Sequence, residues 1–181
     1  SLRNSSVLAV PMSHLLCCTL RYQRSGTKPR QVHNATPASG ALRKRCQALI
    51  EERGWGFWAV ELKASGAFIG FVGLHTPSAT LPFSPCVEIG WRLAADYWGQ
   101  GLASEAAWVA LKTGFGTLDL SEIVSFTTIE NRRSRAVMAR LGMRETEEFE
   151  HPGVPIGHPL RRHCLYRLDR ERFAAQLAAA E

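Results

Sequence analysis

The sequence predicts one α/β (α+β) domain built on a mixed sheet flanked by helices, and three observations carry that reading. The chain has 181 residues, enough to bury a single core without disulfide staples. Two aromatic and β-branched runs at 56–62 and 67–74, separated by Lys63-Ala64-Ser65-Gly66, read as an antiparallel hairpin. Beyond the hairpin the pattern runs strand, glycine-rich turn, helix, strand, helix, strand, and helices alternating with strands make a mixed sheet.

Each element has a local reason. Before residue 40 the pattern is weak: Val7 to Val10 suits a short strand, and Ser25-Gly26, Lys28-Pro29 and Thr36-Pro37 mark turns. Over 41–53, Leu42, Cys46, Leu49 and Ile50 recur at helical spacing, with Gly54 as the stop. Pro77, Pro82 and Pro85 mark a loop after the hairpin. A strand over 86–93 then alternates Val87, Ile89, Trp91 and Leu93 with Glu88, Gly90 and Arg92. Residues 102–115 form a mostly apolar, buried helix. After a strand at 122–128, Asn131 stands at a helix N-cap, and Ser134, Val137, Met138 and Leu141 share one face of the helix that Gly142 ends. A last strand at 163–168 and a helix at 170–180 complete the chain.

Composition excludes several classes. With 45% hydrophobic and 21% charged residues the chain is neither disordered nor fibrous, and no apolar run approaches the roughly 18 residues of a membrane span. The net charge of +6 is unevenly placed: residues 1–50 hold eight of the 22 basic residues and none of the 16 acidic ones. Such a start suits a transit peptide or an arm docking on nucleic acid or ribosome, and a solvated basic surface explains it equally. Five cysteines, an odd number with no C-x-x-C pair and no histidines at zinc-finger spacing, argue against a structural metal and for a reducing, cytoplasmic setting.

Chemistry concentrates in Val87-Glu88-Ile89-Gly90-Trp91-Arg92-Leu93 running into Tyr97-Trp98-Gly99-Gln100-Gly101-Leu102-Ala103-Ser104-Glu105. A strand feeding a glycine-containing turn that opens a helix aims several amides and the positive helix end at one point, an anion site suited to a pyrophosphate. An ordinary strand-to-helix turn has the same outline. No Gly-Lys-Ser/Thr follows, and Ser104 stands where a dinucleotide fingerprint needs its third glycine. Nucleotide hydrolysis and nicotinamide binding lose support.

These blocks, with the hairpin Trp58-Ala59-Val60-Glu61 to Ile69-Gly70-Phe71-Val72-Gly73, Asn131-Arg132-Arg133-Ser134 and Met138-Ala139-Arg140-Leu141-Gly142-Met143, occur together and in order. In this the sequence resembles the GNAT superfamily of N-acetyltransferases, and within it the branch of ribosomal-protein N-terminal acetyltransferases. The resemblance spans residues 41–168, and Trp98 holds the position of the first Gln/Arg of the family's glycine motif. It implies a mostly antiparallel sheet, with 41–181 as the acetyl-CoA-binding core and 1–40 as a divergent basic lid or arm. It further implies that Trp91, Arg92 and Leu93 pair in strand fashion with the pantetheine arm. Trp98, Gly99, Gln100, Gly101, Leu102, Ala103 and Ser104 would bind the pyrophosphate, Asn131 would meet the reacting end, and Ser134 would serve the leaving thiolate.

The implied reaction is attack of a neutral amine, from a protein N-terminus or a small molecule, on the acetyl thioester, by a monomer or homodimer with no metal and no membrane. Glu88 is the candidate base, because a carboxylate within an apolar strand is costly to bury unless paired or functional; an ion pair with Arg92 is the plainer alternative. Ser134 is the candidate acid, with a helix first-turn hydroxyl as its plainer reading, as a simple cap is for Asn131. His151, His158 and His163 are secondary contacts or satisfied histidines, and Trp55, Phe57 and Trp58 suit the core. A different function, a non-catalytic acetyl-CoA-binding module whose basic arm docks on RNA or ribosome, would show tight cofactor binding without turnover. No aromatic RNA-binding signature accompanies the arm.

Overall fold

A computed structural model describes residues 6–10, 21–22, 30–31 and 37–179. In chain order these form β1 (Val7–Val10), β2 (Arg21–Tyr22), β3 (Arg30–Gln31), α1 (Pro37–Arg53), β4 (Phe57–Leu62), β5 (Phe68–His75), β6 (Glu88–Leu93), α2 (Leu102–Lys112), β7 (Glu122–Thr128), α3 (Arg132–Arg140), β8 (Arg144–Glu150), β9 (Arg162–Asp169) and α4 (Arg170–Ala179). Seven strands are hydrogen-bonded neighbours in the order β1-β4-β5-β6-β7-β9-β8, and β2 pairs with β3. Most of the lid or arm expected at 1–40 lies outside the described residues, as do Cys17 and Cys18.

Packing divides the chain into two units, one of Leu74–Gly90 with Ala107–Glu181 and one of Leu2–Gly73 with Trp91–Ala106. In the second, β1 pairs antiparallel with β4 and β4 with β5, the last with a register shift between Val60 and Glu61. The hairpin turn closes with Gly66 N–H donating to the Leu62 carbonyl at 2.8 Å. Cys46, Ala59, Val60, Ile69 and Val72 are buried there, and Phe57 meets Phe71 edge to face at 5.2 Å. Trp55 and Trp58 are half-buried.

In the first unit, β6 pairs in parallel with β7 at Glu88↔Val124, and β7 pairs antiparallel with β9 along its whole length. The Ser125 hydroxyl, itself buried, donates to the Ile89 carbonyl at 2.9 Å and locks that parallel contact. Ile123, Leu111, Met138, Leu141 and Leu168 are buried, and Phe173 on α4 stacks on Phe115 at 4.8 Å. These apolar positions recur on one face of each helix, which is why each helix packs.

Three features differ from the sequence expectation. α2 stops at Lys112 and continues as a π-helical turn, Thr113–Thr117, whose buried Gly114 leaves its Cα 's outer side to Leu74 and Ile123. The strand read as 86–93 starts at Glu88. β8 was not expected at all; all six of its charged or polar side chains are exposed and only Phe149 is buried.

Candidate active site

Glu88 opens β6 with a side chain only 12% exposed, and its Oε2 lies 3.4 Å from Nε2 of His75, the last residue of β5. The expected partner Arg92 is exposed and forms no ion pair among the described residues. Alternation puts Glu88, Gly90 and Arg92 on one face of β6, and the two charged residues differ by position along it: Glu88 is covered at the strand start, whereas Arg92 is exposed near the strand end. Burial pushes the Glu88 carboxyl up to about 8, because a carboxylate loses hydration there that one imidazole does not replace. At neutral pH the group is poised between acid and base, the property a proton acceptor needs. His75 is the residue that the sequence reading missed; a histidine closing a strand carries no local signal, and its relation to Glu88 exists only through strand pairing.

In the same unit, Asn131 caps α3. Its Oδ1 accepts from the Ser134 N–H at 3.1 Å and its Nδ2 donates to Thr127 Oγ1 at 2.9 Å. Both ends of the amide are therefore engaged locally, as the capping alternative anticipated. Ser134 is half-buried in the first turn, with its amide spent on that cap. One turn on, Arg135 donates to the Ile129 carbonyl at 3.1 Å and to Glu145, tying the helix start to the sheet.

The rings of His151 and His163 lie 5.0 Å apart, tilted by 42°, beside Phe126 and Phe149. Their Nδ1 atoms are used locally: Gly153 N–H donates to His151 at 3.1 Å, and His163 lies 3.0 Å from the Arg161 carbonyl. Burial, His163 and Arg161 hold His151 below its ordinary value. His158 accepts from Leu160 N–H at 3.1 Å in the exposed loop. All three behave as satisfied histidines.

In the other unit, β6 ends with Trp91 half-buried and Leu93 in the core, and a short 3₁₀ turn, Ala95–Tyr97, leads into the glycine turn. The Trp98 indole N–H donates to the Leu93 carbonyl at 2.8 Å, and Gln100 Nε2 donates to the Asp96 carbonyl at 3.0 Å. Both side chains thus brace the turn. Gly99 and Gly101 adopt φ of +75° and +80°, with open space where a Cβ would stand. That conformation is one L-residues resist and glycine accepts. Among the described residues, no group accepts a hydrogen bond from the amides of residues 99–104; the first helical bond runs from Glu105 N–H to the Gly101 carbonyl at 3.0 Å. Leu102 and Ala103 belong to this first turn of α2, and the Ser104 hydroxyl there is buried without a partner among the described residues. Six successive donors at a helix N-terminus suit a di- or polyanion such as the pyrophosphate of a coenzyme A ester.

The sequence matches the family described as "Acetyltransferase (GNAT) domain" over residues 14–144, and the chain belongs to that family, whose fold uses acetyl-CoA. Among curated relatives, FsC-acetyl coenzyme A-N(2)-transacetylase of Aspergillus fumigatus is 36% identical over 66% of this chain and 52% of its own length. YkkB of Bacillus subtilis is 30% identical over 58% of this chain and 61% of its own. The match thus spans about half to three-fifths of these relatives. Among solved structures, an acetyltransferase from Agrobacterium tumefaciens aligns with a TM-score of 0.56 at 29% identity, covering 75% of this chain and 72% of that one. Mycobacterium smegmatis RimJ, solved with CoA-disulfide, shares the fold at a TM-score of 0.63 and 24% identity, covering 93% of this chain and 78% of its own.

Proposed function

We propose that this chain is an acetyl-CoA-dependent N-acetyltransferase whose acceptor is a weakly basic primary amine, a protein N-terminal α-amine or a small-molecule amine. The observation that carries the reading is Glu88, a buried carboxyl raised to about 8 at the head of the strand that runs to the glycine turn. A lysine-type ammonium near 10.4 costs about 4 kcal/mol to deprotonate at pH 7.4, whereas an α-ammonium near 7.7 to 8.0 costs well under 1. A buried base raised from the carboxylate range toward that of an α-amine is matched more closely to the second task than to the first. The name of the Aspergillus fumigatus relative, FsC-acetyl coenzyme A-N(2)-transacetylase, is in keeping with transfer to nitrogen.

In this proposal the amides of 99–104 hold the pyrophosphate, and the main chain of Trp91, Arg92 and Leu93 holds the pantetheine arm extended. Bound acetyl-CoA supplies the thioester carbonyl that the amine attacks. Glu88 takes the amine proton, the Asn131 cap fixes the start of α3, and the Ser134 hydroxyl serves the departing sulfur.

Gly101→Glu is the direct test of the phosphate turn. The new side chain demands a strained φ, costing about 1–2 kcal/mol, and brings a negative charge to the anion site. Acetyl-CoA affinity measured by calorimetry is expected to fall about 100-fold; unchanged affinity refutes the assignment. Coenzyme A release from a panel of peptides with free or blocked N-termini, polyamines and amino acids then identifies the acceptor, with α-amines expected to outpace lysine side chains.

A further inference from the structure

We infer that His75 acts through Glu88, as the second seat of the proton that Glu88 removes from the acceptor. The inference rests on the proposed role of Glu88 as base and deepens it. His75 Nε2 stands 3.4 Å from Glu88 Oε2, and the two side chains are 29% and 12% exposed. The imidazole is the more exposed member of the pair, with Nε2 turned to the carboxyl and Nδ1 buried.

The surroundings favour a proton partner over a fixed structural ion pair. A buried carboxylate held for architecture is ordinarily matched by a permanently charged group. Arg167 on β9, within the same unit, is committed to Glu122 of β7 at 2.7 Å and to Glu147 of β8 at 3.3 Å. The Cys86 thiol, two residues before Glu88, is pushed up by burial first and by the Glu88 charge second, so it stays neutral. The ion-pair partner of the Glu88 carboxyl is instead an imidazole, a side chain that can take and release one proton.

The step balances. The acceptor nitrogen forms the N–C bond to the thioester carbonyl carbon, and its N–H proton passes to a Glu88 oxygen. The proton moves on to His75 Nε2, restoring the carboxylate. The C–S bond breaks with its electron pair on sulfur as the coenzyme A thiolate departs, and the proton stays on His75 until it exchanges with solvent after the step.

Two measurements on the full chain decide the matter. In ¹⁵N NMR, the His75 ring titration is expected to move by about half a pH unit or more in Glu88→Gln; an unmoved midpoint overturns the pairing. In steady-state kinetics, His75→Ala is expected to lower kcat about tenfold or more with acetyl-CoA affinity unchanged. Added imidazole should restore turnover in proportion to its free base, a rescue that a merely structural side chain would not allow. His75→Gln, which keeps a donor and the bulk but cannot relay a proton, should fold and remain slow. Full turnover in His75→Gln, or no rescue of His75→Ala, overturns the relay. If Glu88→Gln abolishes turnover while the His75 variants are at wild-type rates, the relay falls and the base stands. If Glu88→Gln is fully active, both fall.

Discussion

Glu88 and Glu145 belong to the same packing unit and are displaced in opposite directions. Glu145 is held below the ordinary carboxylate range by the Tyr166 hydroxyl, which donates to it at 2.7 Å, and by Arg135 at 3.0 Å. Glu88 has an imidazole at 3.4 Å and is raised to about 8. The difference is one of donors supplied per carboxylate, since hydrogen bonds to the charged form favour it and burial without them disfavours it. A glutamate whose charge the fold satisfies belongs to the architecture, and one whose charge the fold resists is available for chemistry.

The largest effect that can break this contrast is catalytic. Glu88→Gln keeps the shape and removes the proton site, and kcat is expected to fall about 10²- to 10⁴-fold. In the wild type, kcat/KM should rise with pH through a limb near 8, where the carboxyl ionises, and that limb should vanish in the variant. A pH–rate profile of both proteins checks it. A variant with the same limb would assign the titration to another group.

The next effect concerns stability and has the opposite sign to most active-site damage. A carboxyl whose folded value is raised from 4.5 to about 8 favours the fold below the unfolded value, and this contribution is lost as pH rises toward 8. Glu88→Gln does not ionise, so its advantage over the wild type should grow from pH 5 to pH 8 and then level off, reaching at most about 5 kcal/mol. Urea unfolding across that range measures it. A difference that does not vary with pH would mean that Glu88 ionises as readily in the fold as outside it.

Much of this was legible in the sequence because its causes are local. The hairpin turn at Gly66, the strand at 122–128 and the Asn131 cap each depend on residues within a few positions, and each lies where the periodicity and the capping rule place it. The glycine turn is equally local: the positive φ of Gly99 and Gly101 is a backbone demand written into two residues. What was not legible depends on partners distant in sequence. β8 reads Arg-Glu-Thr-Glu-Glu-Phe-Glu, with neither alternation nor β-branched runs, and it is a strand because β9 supplies the ladder from Arg144↔Arg167 to Glu150↔Arg162. An edge strand of charged residues is the form that resists pairing with other chains, and that same composition hides it from pattern reading. His75 was missed for a related reason: the residues between it and Glu88 form a loop, and only the β5 and β6 registers bring the two side chains together.

The smallest effect tests the satisfied member of the pair. Glu145 is 39% exposed and Arg135 32% exposed, so solvent screens their attraction, and Glu145→Gln should cost only about 1 kcal/mol. Its pH signature is the mirror image of that at Glu88. A carboxyl held below 4.5 stabilises the fold above the unfolded value and ceases to as pH falls through the folded one. The wild type should therefore lose its advantage over Glu145→Gln in acid and keep it unchanged from pH 6 to pH 8, the range in which the Glu88 comparison varies most. Turnover should be nearly unaffected and its limb near 8 preserved, because the Arg135 bond to the Ile129 carbonyl still anchors the start of α3. A shifted limb in Glu145→Gln would show that the two carboxyls are electrically coupled, and that the architectural one helps to set the reactive one.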